Sequence, residues 1–222
     1  MIRRDDIELL KYKYNLEFKH HVGDVLTYFE NEVAEFFGAP EAVVTDCCSH
    51  ALELALRAKN PTGIATVPVY TYMSIPMTLA KLGIEYEFTQ DPWQEYYHVI
   101  DNIYDAATLW RPKSYVPGTI MTLSFQFKKH IPIGRGGMIL LDDHDLANRL
   151  RRMSHDGRNR YDDQWNDTVT ELGYHYYMTP EDAARGIDLF IQLKDKPAKV
   201  WTNNDYRALT DFPVFNNIKI RQ

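Results

Sequence analysis

The chain has 222 residues, 45% of them hydrophobic, and a formal charge of −6. That length supports one sizeable domain with its own core, and the negative balance argues against nucleic acid as the main partner, because phosphate binding favours a basic surface. No stretch approaches the roughly 18 consecutive apolar residues of a membrane span, which argues against a membrane protein.

The first residues, "MIRRDDIELLKYKY", are charged throughout and lack the apolar core of a secretory signal. Residues 24–37, "DVLTYFENEVAEFF", place Val25, Leu26, Phe29, Val33, Phe36 and Phe37 at helical spacing, with Gly38 as the stop. "AVVT" (42–45) is a short buried strand, and "DCCSHALELALRA" turns into a helix near Ser49. The adjacent Cys47 and Cys48 are the only cysteines. Sequence neighbours rarely bridge, and two thiols do not make a four-ligand zinc site, so no metal centre is expected and the compartment reads as reducing and cytoplasmic.

"IATVPV" (64–69) is a second strand and "SIPMTLAKLG" a second helix ended by Gly83. "IEYEFT" (84–89) alternates as a strand does, and "HVIDNIY" (98–104) reads as another. Ile120–Phe125 and Met138–Leu141 are apolar runs of buried-strand type. Between them sit Lys128, Lys129 and a loop with Gly134, Gly136 and Gly137. "DLANRLRRM" (145–153) is helical, and the basic cluster Arg149, Arg151, Arg152, Arg158 and Arg160 around it reads as a solvated face. The last helix, in "TPEDAARGIDLFIQL", has Thr179 as N-cap, Pro180 at its first position and Asp182 three residues after the cap. Strands alternating with helices imply an α/β fold with a mostly parallel sheet covered on both faces.

In such sheets ligands sit at the carboxyl ends of strands. After the first strand comes Ser49 at a helix start, where backbone N–H groups and the dipole favour an anion; the same serine is equally a plain N-cap. After the second comes Tyr72, an aromatic able to stack on a flat ring. Asp105, followed by two alanines, ends "NIYD", and it is either an exposed loop aspartate or a partner for a protonated ring nitrogen. Ser124 and then the lysine pair follow the next strand. Successive residues of an extended chain point to opposite sides, so one lysine faces the site. A phosphate seat, a ring stacker, a carboxylate and an amine together are what pyridoxal 5'-phosphate (PLP) requires.

Five segments resemble, in order, those of the DegT/StrS-type PLP-dependent sugar aminotransferases. "FFGAPEAVVTDCCSHALELAL" is similar to the family stretch around Ser-Gly-Thr-x-Ala-Leu, and "VPVYTYMS" to Pro-x-x-Thr-aromatic. "NIYDAA" fits Glu-Asp-x-Ala, and "SFQFKKHIPIGRGGMI" resembles Ser-Phe-His-x-x-Lys followed by Gly-Gly. "LGYHYYMTPEDAARGIDLFIQL" resembles Gly-Tyr-Asn-Tyr and the helix after it. The resemblance implies the aspartate aminotransferase-like fold type I, with residues 1–195 as the PLP-binding large domain. It also implies that the small C-terminal domain is largely absent, residues 196–222 being its short remnant.

By the same resemblance Lys129, five positions after Ser124, is the Schiff-base lysine and Asp105 the pyridinium partner. Ser124 and Ser49 fall on phosphate ligands, and Tyr72 on the ring stacker. Cys48 stands where the family has a glycine, which crowds the phosphate turn if that position needs positive φ. Thr108 stands where His or Gln approaches the ring oxygen. His175 and Tyr177 stand in the segment whose asparagine reaches a neighbouring subunit's phosphate. The implied activity is transfer of an amino group from an amino acid, glutamate in most relatives, to a nucleotide-linked keto sugar, in a homodimer. The departures leave a second expectation: a catalytically silent relative that serves as a binding or assembly subunit.

Overall fold

A computed structural model describes residues 22–162 and 165–221 of the chain. Helix α1 (Val22–Phe37) buries Val25, Phe29, Val33 and Phe37, one residue per turn on a single face. It stops at Gly38, whose φ of +75° a side chain would resist, and the Ala39 N–H then closes onto the Ala34 carbonyl.

The main sheet has five strands in the order β1 (Glu41–Thr45), β7 (Gly137–Leu141), β6 (Ile120–Ser124), β5 (Ile103–Asp105), β4 (Tyr97–Ile100). Its side chains alternate between two cores. Ala42, Val44, Met121, Leu123, Met138 and Leu140 face α1 and α5 (Pro180–Leu193). Val43, Ile120, Ile139 and Leu141 face α2 (Cys48–Lys59), α3 (Ser74–Lys81) and α4 (His144–Ser154). Strands covered on both faces must be apolar on both, which is why they read as unbroken hydrophobic runs. A second pair, β2 (Ala65–Pro68) and β3 (Tyr86–Thr89), is parallel and packs beside β4.

The α/β class holds, but the sheet is mixed rather than mostly parallel. Only β5 and β6 run parallel within the five strands; β1–β7, β6–β7 and β4–β5 are antiparallel. One reason is local. The segment 98–104, expected as one strand, is a hairpin that turns at Asp101 and Asn102, with Asp101 at φ +49°. An aspartate followed by an asparagine tolerates that left-handed backbone better than most residue pairs.

Helix α5 starts as its sequence requires: the Thr179 hydroxyl accepts from the Asp182 N–H at 3.2 Å, with Pro180 in the first turn. The basic cluster is neither a free nor a plainly solvated face. Arg151 and Arg160 both pair with Glu30, a fully buried carboxylate that also accepts from the Val44 N–H. Arg149 and Arg152 pair with Glu171, and Arg158 with Asp167.

Candidate functional site

The carboxyl ends of β1, β5 and β6 open onto one cavity of about 660 Å³. Seven of the residues singled out in sequence line it: Cys48, Ser49, Tyr72, Asp105, Thr108, Ser124 and Lys129. Tyr177 does not. Its ring lies edge-on to His155 and His175, on a different cavity bordered by Met178 and Pro180.

Asp105 is the last residue of β5 and is 4% exposed. Its Oδ2 accepts from the Tyr97 hydroxyl at 2.6 Å, and its Oδ1 from the Ala107 N–H at 2.9 Å. Tyr97 is held in turn by Thr71 at 2.7 Å. Burial pushes the Asp105 carboxyl up, and these two hydrogen bonds with the nearby Lys129 charge offset only part of that. It is therefore no exposed loop aspartate.

Lys129 follows β6 in a turn, its N–H closing onto the Gln126 carbonyl. Its ammonium is half-buried, 3.5 Å from the Tyr206 hydroxyl and 4.8 Å from the centre of the Trp201 ring. Burial lowers its pKa, while Asp105 and Cys48 pull the other way. Lys128, its neighbour, is more exposed but also borders the cavity, because the pair sits in a turn rather than an extended strand; the expected alternation does not separate them.

Helix α2 points its first turn at the cavity. The N-cap is Cys47, which makes no capping hydrogen bond through its side chain, so Ser49 is not the cap; its hydroxyl donates to Ser74 Oγ at 2.7 Å. The first backbone N–H groups of a helix have no partners within it, which makes this end a seat for an anion. Cys48 does not crowd the turn. It is the first helical residue and is not among the residues with positive φ. The tight approach occurs instead across the sheet, at Gly137: a Cβ there would lie 2.5 Å from both Cys47 C and Cys48 N. The glycine lets β7 and the start of α2 touch.

Thr108 spends its hydroxyl on the Glu95 carbonyl at 2.7 Å, and Ser124 Oγ accepts from the Gln126 N–H at 3.4 Å. Tyr72 stands at the rim, 59% exposed. Asp46, Cys47 and His50 bring ligand atoms within 4.8 Å of one another beside the cavity. Asp46 is already held by Arg135 and by His50, each at 2.6 Å, and that pairing outweighs burial to lift the His50 pKa to about 9.

Sequence reasoning missed the wall supplied by the C-terminal tail. Residues 196–221 fold back along the domain: the Glu95 N–H donates to the Trp201 carbonyl, Leu209 N–H to the Val69 carbonyl, and Phe88 N–H to the Lys219 carbonyl. Leu209 and Phe215 are buried in the second core. Trp201, Tyr206 and Lys199 thereby face Lys129 across the cavity. A signal was present in "WTNND": Thr202 and Asp205 form a reciprocal cap that fixes this turn.

Comparison with known proteins agrees with this architecture. The chain is 26% identical over 226 aligned positions to the spore coat polysaccharide biosynthesis protein SpsC of Bacillus subtilis (strain 168), covering 78% of the chain and 58% of that protein. AtS13 from Actinomadura melliaura superposes with a TM-score of 0.66 at 20% identity, over 75% of this chain and 59% of that one. Spr1654 from Streptococcus pneumoniae, in its PLP-form, does so with a TM-score of 0.66 at 14% identity, over 87% and 65%. The chain thus spans less than two thirds of the length of these proteins. The DegT/DnrJ/EryC1/StrS aminotransferase family model matches residues 2–93 and 116–203, passing over the β4–β5 hairpin and the turn after it, which carry Asp105 and Thr108. On that match, over most of its length, the chain belongs to the DegT/DnrJ/EryC1/StrS aminotransferase family.

Proposed function

We propose that the protein is a PLP-dependent aminotransferase that moves an amino group from an amino acid, glutamate by family likeness, to a keto sugar, nucleotide-linked and in the cytoplasm. The observation that carries this reading is the convergence of the Lys129 amine and the buried Asp105 carboxylate on one cavity, opposite the open N-terminus of α2. Membership of an aminotransferase family supports it.

The donor set fits PLP. When bound, PLP supplies an aldehyde that an amine can capture and a ring that withdraws electrons from the reacting carbon. The N–H groups at the start of α2, with the Ser49 and Ser124 hydroxyls, bind the phosphate. Asp105, kept from water, holds a proton at the ring nitrogen, and that charge pair relieves the cost of burying its carboxylate. Tyr72 would cover the ring from the rim, and Thr108 would lie on the side of the ring oxygen. Burial favours the neutral, nucleophilic form of Lys129, and its Nζ then carries a proton from the donor's α-carbon. Residues 1–195 hold the cofactor, and the tail from residue 196 closes the site. A homodimer in which the segment of His175 and Tyr177 reaches the partner's site belongs to the same reading.

The test is an absorption spectrum with added PLP, before and after borohydride. A yellow band that borohydride fixes onto Lys129, and that Lys129→Ala abolishes, is the expected result. A cofactor band that survives Lys129→Ala unchanged overturns the assignment. The second reading, a silent binding or assembly subunit, is motivated by the family match passing over the segment of Asp105. It predicts no amino transfer from any donor, with or without a bound cofactor.

A further inference from the structure

A second cavity, of about 350 Å³, adjoins the first and shares with it a wall that includes Ser124, Lys128, Lys129, Lys199 and Trp201, while Lys196 borders the second alone. Its charged lining has one sign: Lys128, Lys129, Lys196 and Lys199 border it and no aspartate or glutamate does. Among the described residues only Lys199 of these four is in an ion pair, with Asp205 at 2.5 Å. The charges are close enough to interact. Burial lowers the Lys129 pKa, and the like charges of Lys128 and Lys199 add to that effect. Cations gathered on a concave wall repel one another and raise the local concentration of anions, so a bound anion relieves the repulsion. The remaining wall includes Trp201 and a fixed aromatic pair. Trp110 stacks on His130 at 5.2 Å, and His130 Nε2 donates to the Leu193 carbonyl at 2.7 Å. Lys196 and Lys199 belong to the tail, so this lining exists because the tail folds back.

We propose that this side cavity is an anion subsite for the acceptor substrate, taking the phosphate or diphosphate of a phosphorylated sugar. Lys128, Lys196 and Lys199 are its ligands, and the sugar's carbonyl is thereby aimed at Lys129. The proposal rests on the reading of Lys129 as the reacting amine. An amino acid donor's carboxylate is also an anion, but it carries a single charge. Two unpaired ammonium groups and a third shared with Asp205 match a diphosphate better.

The test is calorimetric titration of the full chain with inorganic pyrophosphate, with UDP and with glutamate, repeated on Lys128→Ala and Lys196→Ala. Among the described residues neither side chain is in an ion pair, and circular dichroism checks that the variants fold. Pyrophosphate and UDP are expected to bind, each variant weakening them by about fivefold or more while glutamate is unaffected. Pyrophosphate seated at the start of α2 would ignore Lys196→Ala, because Lys196 borders the side cavity and not the first, and equal binding in that variant would therefore overturn the proposal. So would a folded protein that binds neither phosphate probe, or variants that lose glutamate instead. Borohydride labelling of Lys129 with PLP, run in parallel, separates the two readings. Labelling without pyrophosphate binding removes the subsite alone. Lysine-dependent pyrophosphate binding without labelling keeps the subsite and removes the reacting amine.

Discussion

Lys129 and Tyr206 meet at 3.5 Å across the candidate cavity although 77 positions separate them in sequence. The lysine is placed by the loop after β6, the tyrosine by a tail pinned through Glu95 and Val69. Tyr206 is itself half-buried, and burial with the nearby Asp105 charge raises its pKa, so it meets Lys129 as a neutral hydroxyl. Its oxygen accepts from the Lys129 ammonium and so favours the charged form. Tyr206→Phe is therefore expected to lower the pH midpoint of Lys129 reaction with an amine reagent by about half a unit. Peptide mapping of the labelled lysine across pH reads the shift, and an unchanged midpoint would show that the contact has no energetic weight.

Asp105 sets a pH signature of its own. Its folded pKa is raised by burial above the unfolded value near 3.8. The folded state then holds its proton more tightly, so this contribution to stability is full below about 3.8 and is lost as pH rises through the folded value. Without cofactor, Asp105→Asn removes the buried charge; its oxygen can accept from the Ala107 N–H while its amide donates to the Tyr97 oxygen. It is expected to melt above the wild type at pH 7 and to lose that advantage near pH 4. In the presence of PLP the order should reverse, because the variant has no charge to offer the ring nitrogen. Thermal melts at the two pH values, with and without PLP, check all three statements.

His50 should act in the opposite pH range. Burial pulls its pKa down, but Asp46 and Cys47 outweigh that and bring it up to about 9. Its contribution is complete below the ordinary value of 6.5 and is lost as pH climbs through about 9. Partial exposure screens the pair, which leaves about 1–2 kcal/mol between those limits. Asp46→Asn should flatten the stability profile between pH 6.5 and 9 in chemical denaturation. If the slope remains, the pair is not coupled to folding.

Gly137→Ala tests the contact between β7 and the start of α2. The added methyl meets two backbone atoms at 2.5 Å, which no side-chain rotation relieves. The helix start must shift, at a cost of about 1–3 kcal/mol. PLP affinity is expected to fall with it, since the phosphate seat is that first turn. A variant with unchanged stability and unchanged PLP binding would mean the strand yields without moving the helix.

Much of the site was legible because it rests on local chemistry. Strand ends, a helix start and a carboxylate before two alanines occupy fixed places in an alternating α/β chain, so Asp105, Ser49, Ser124 and Lys129 could be named from sequence, and all four line one cavity. The caps of α5 were legible for the same reason: Thr179, Pro180 and Asp182 interact within one turn. Strand direction was not. Whether β4 and β5 run parallel or fold back depends on one two-residue turn, whose signal is weaker than the apolar pattern around it.

What only the tertiary structure decided is everything that needs two distant segments at once. Arg151 and Arg160 are basic in sequence and structural in the fold, because Glu30, buried on α1, needs their charge. The apolar residues of the tail show no helical or strand period, and only docking against Val69, Phe88 and Glu95 turns it into a wall of the cavity. Sequence alone determined which residues have the chemistry and which short elements carry them, since those choices are made by neighbours along the chain. The assembly of that chemistry with Trp201, Tyr206 and the lysines of the tail depends on long-range packing, which leaves no periodic trace in sequence.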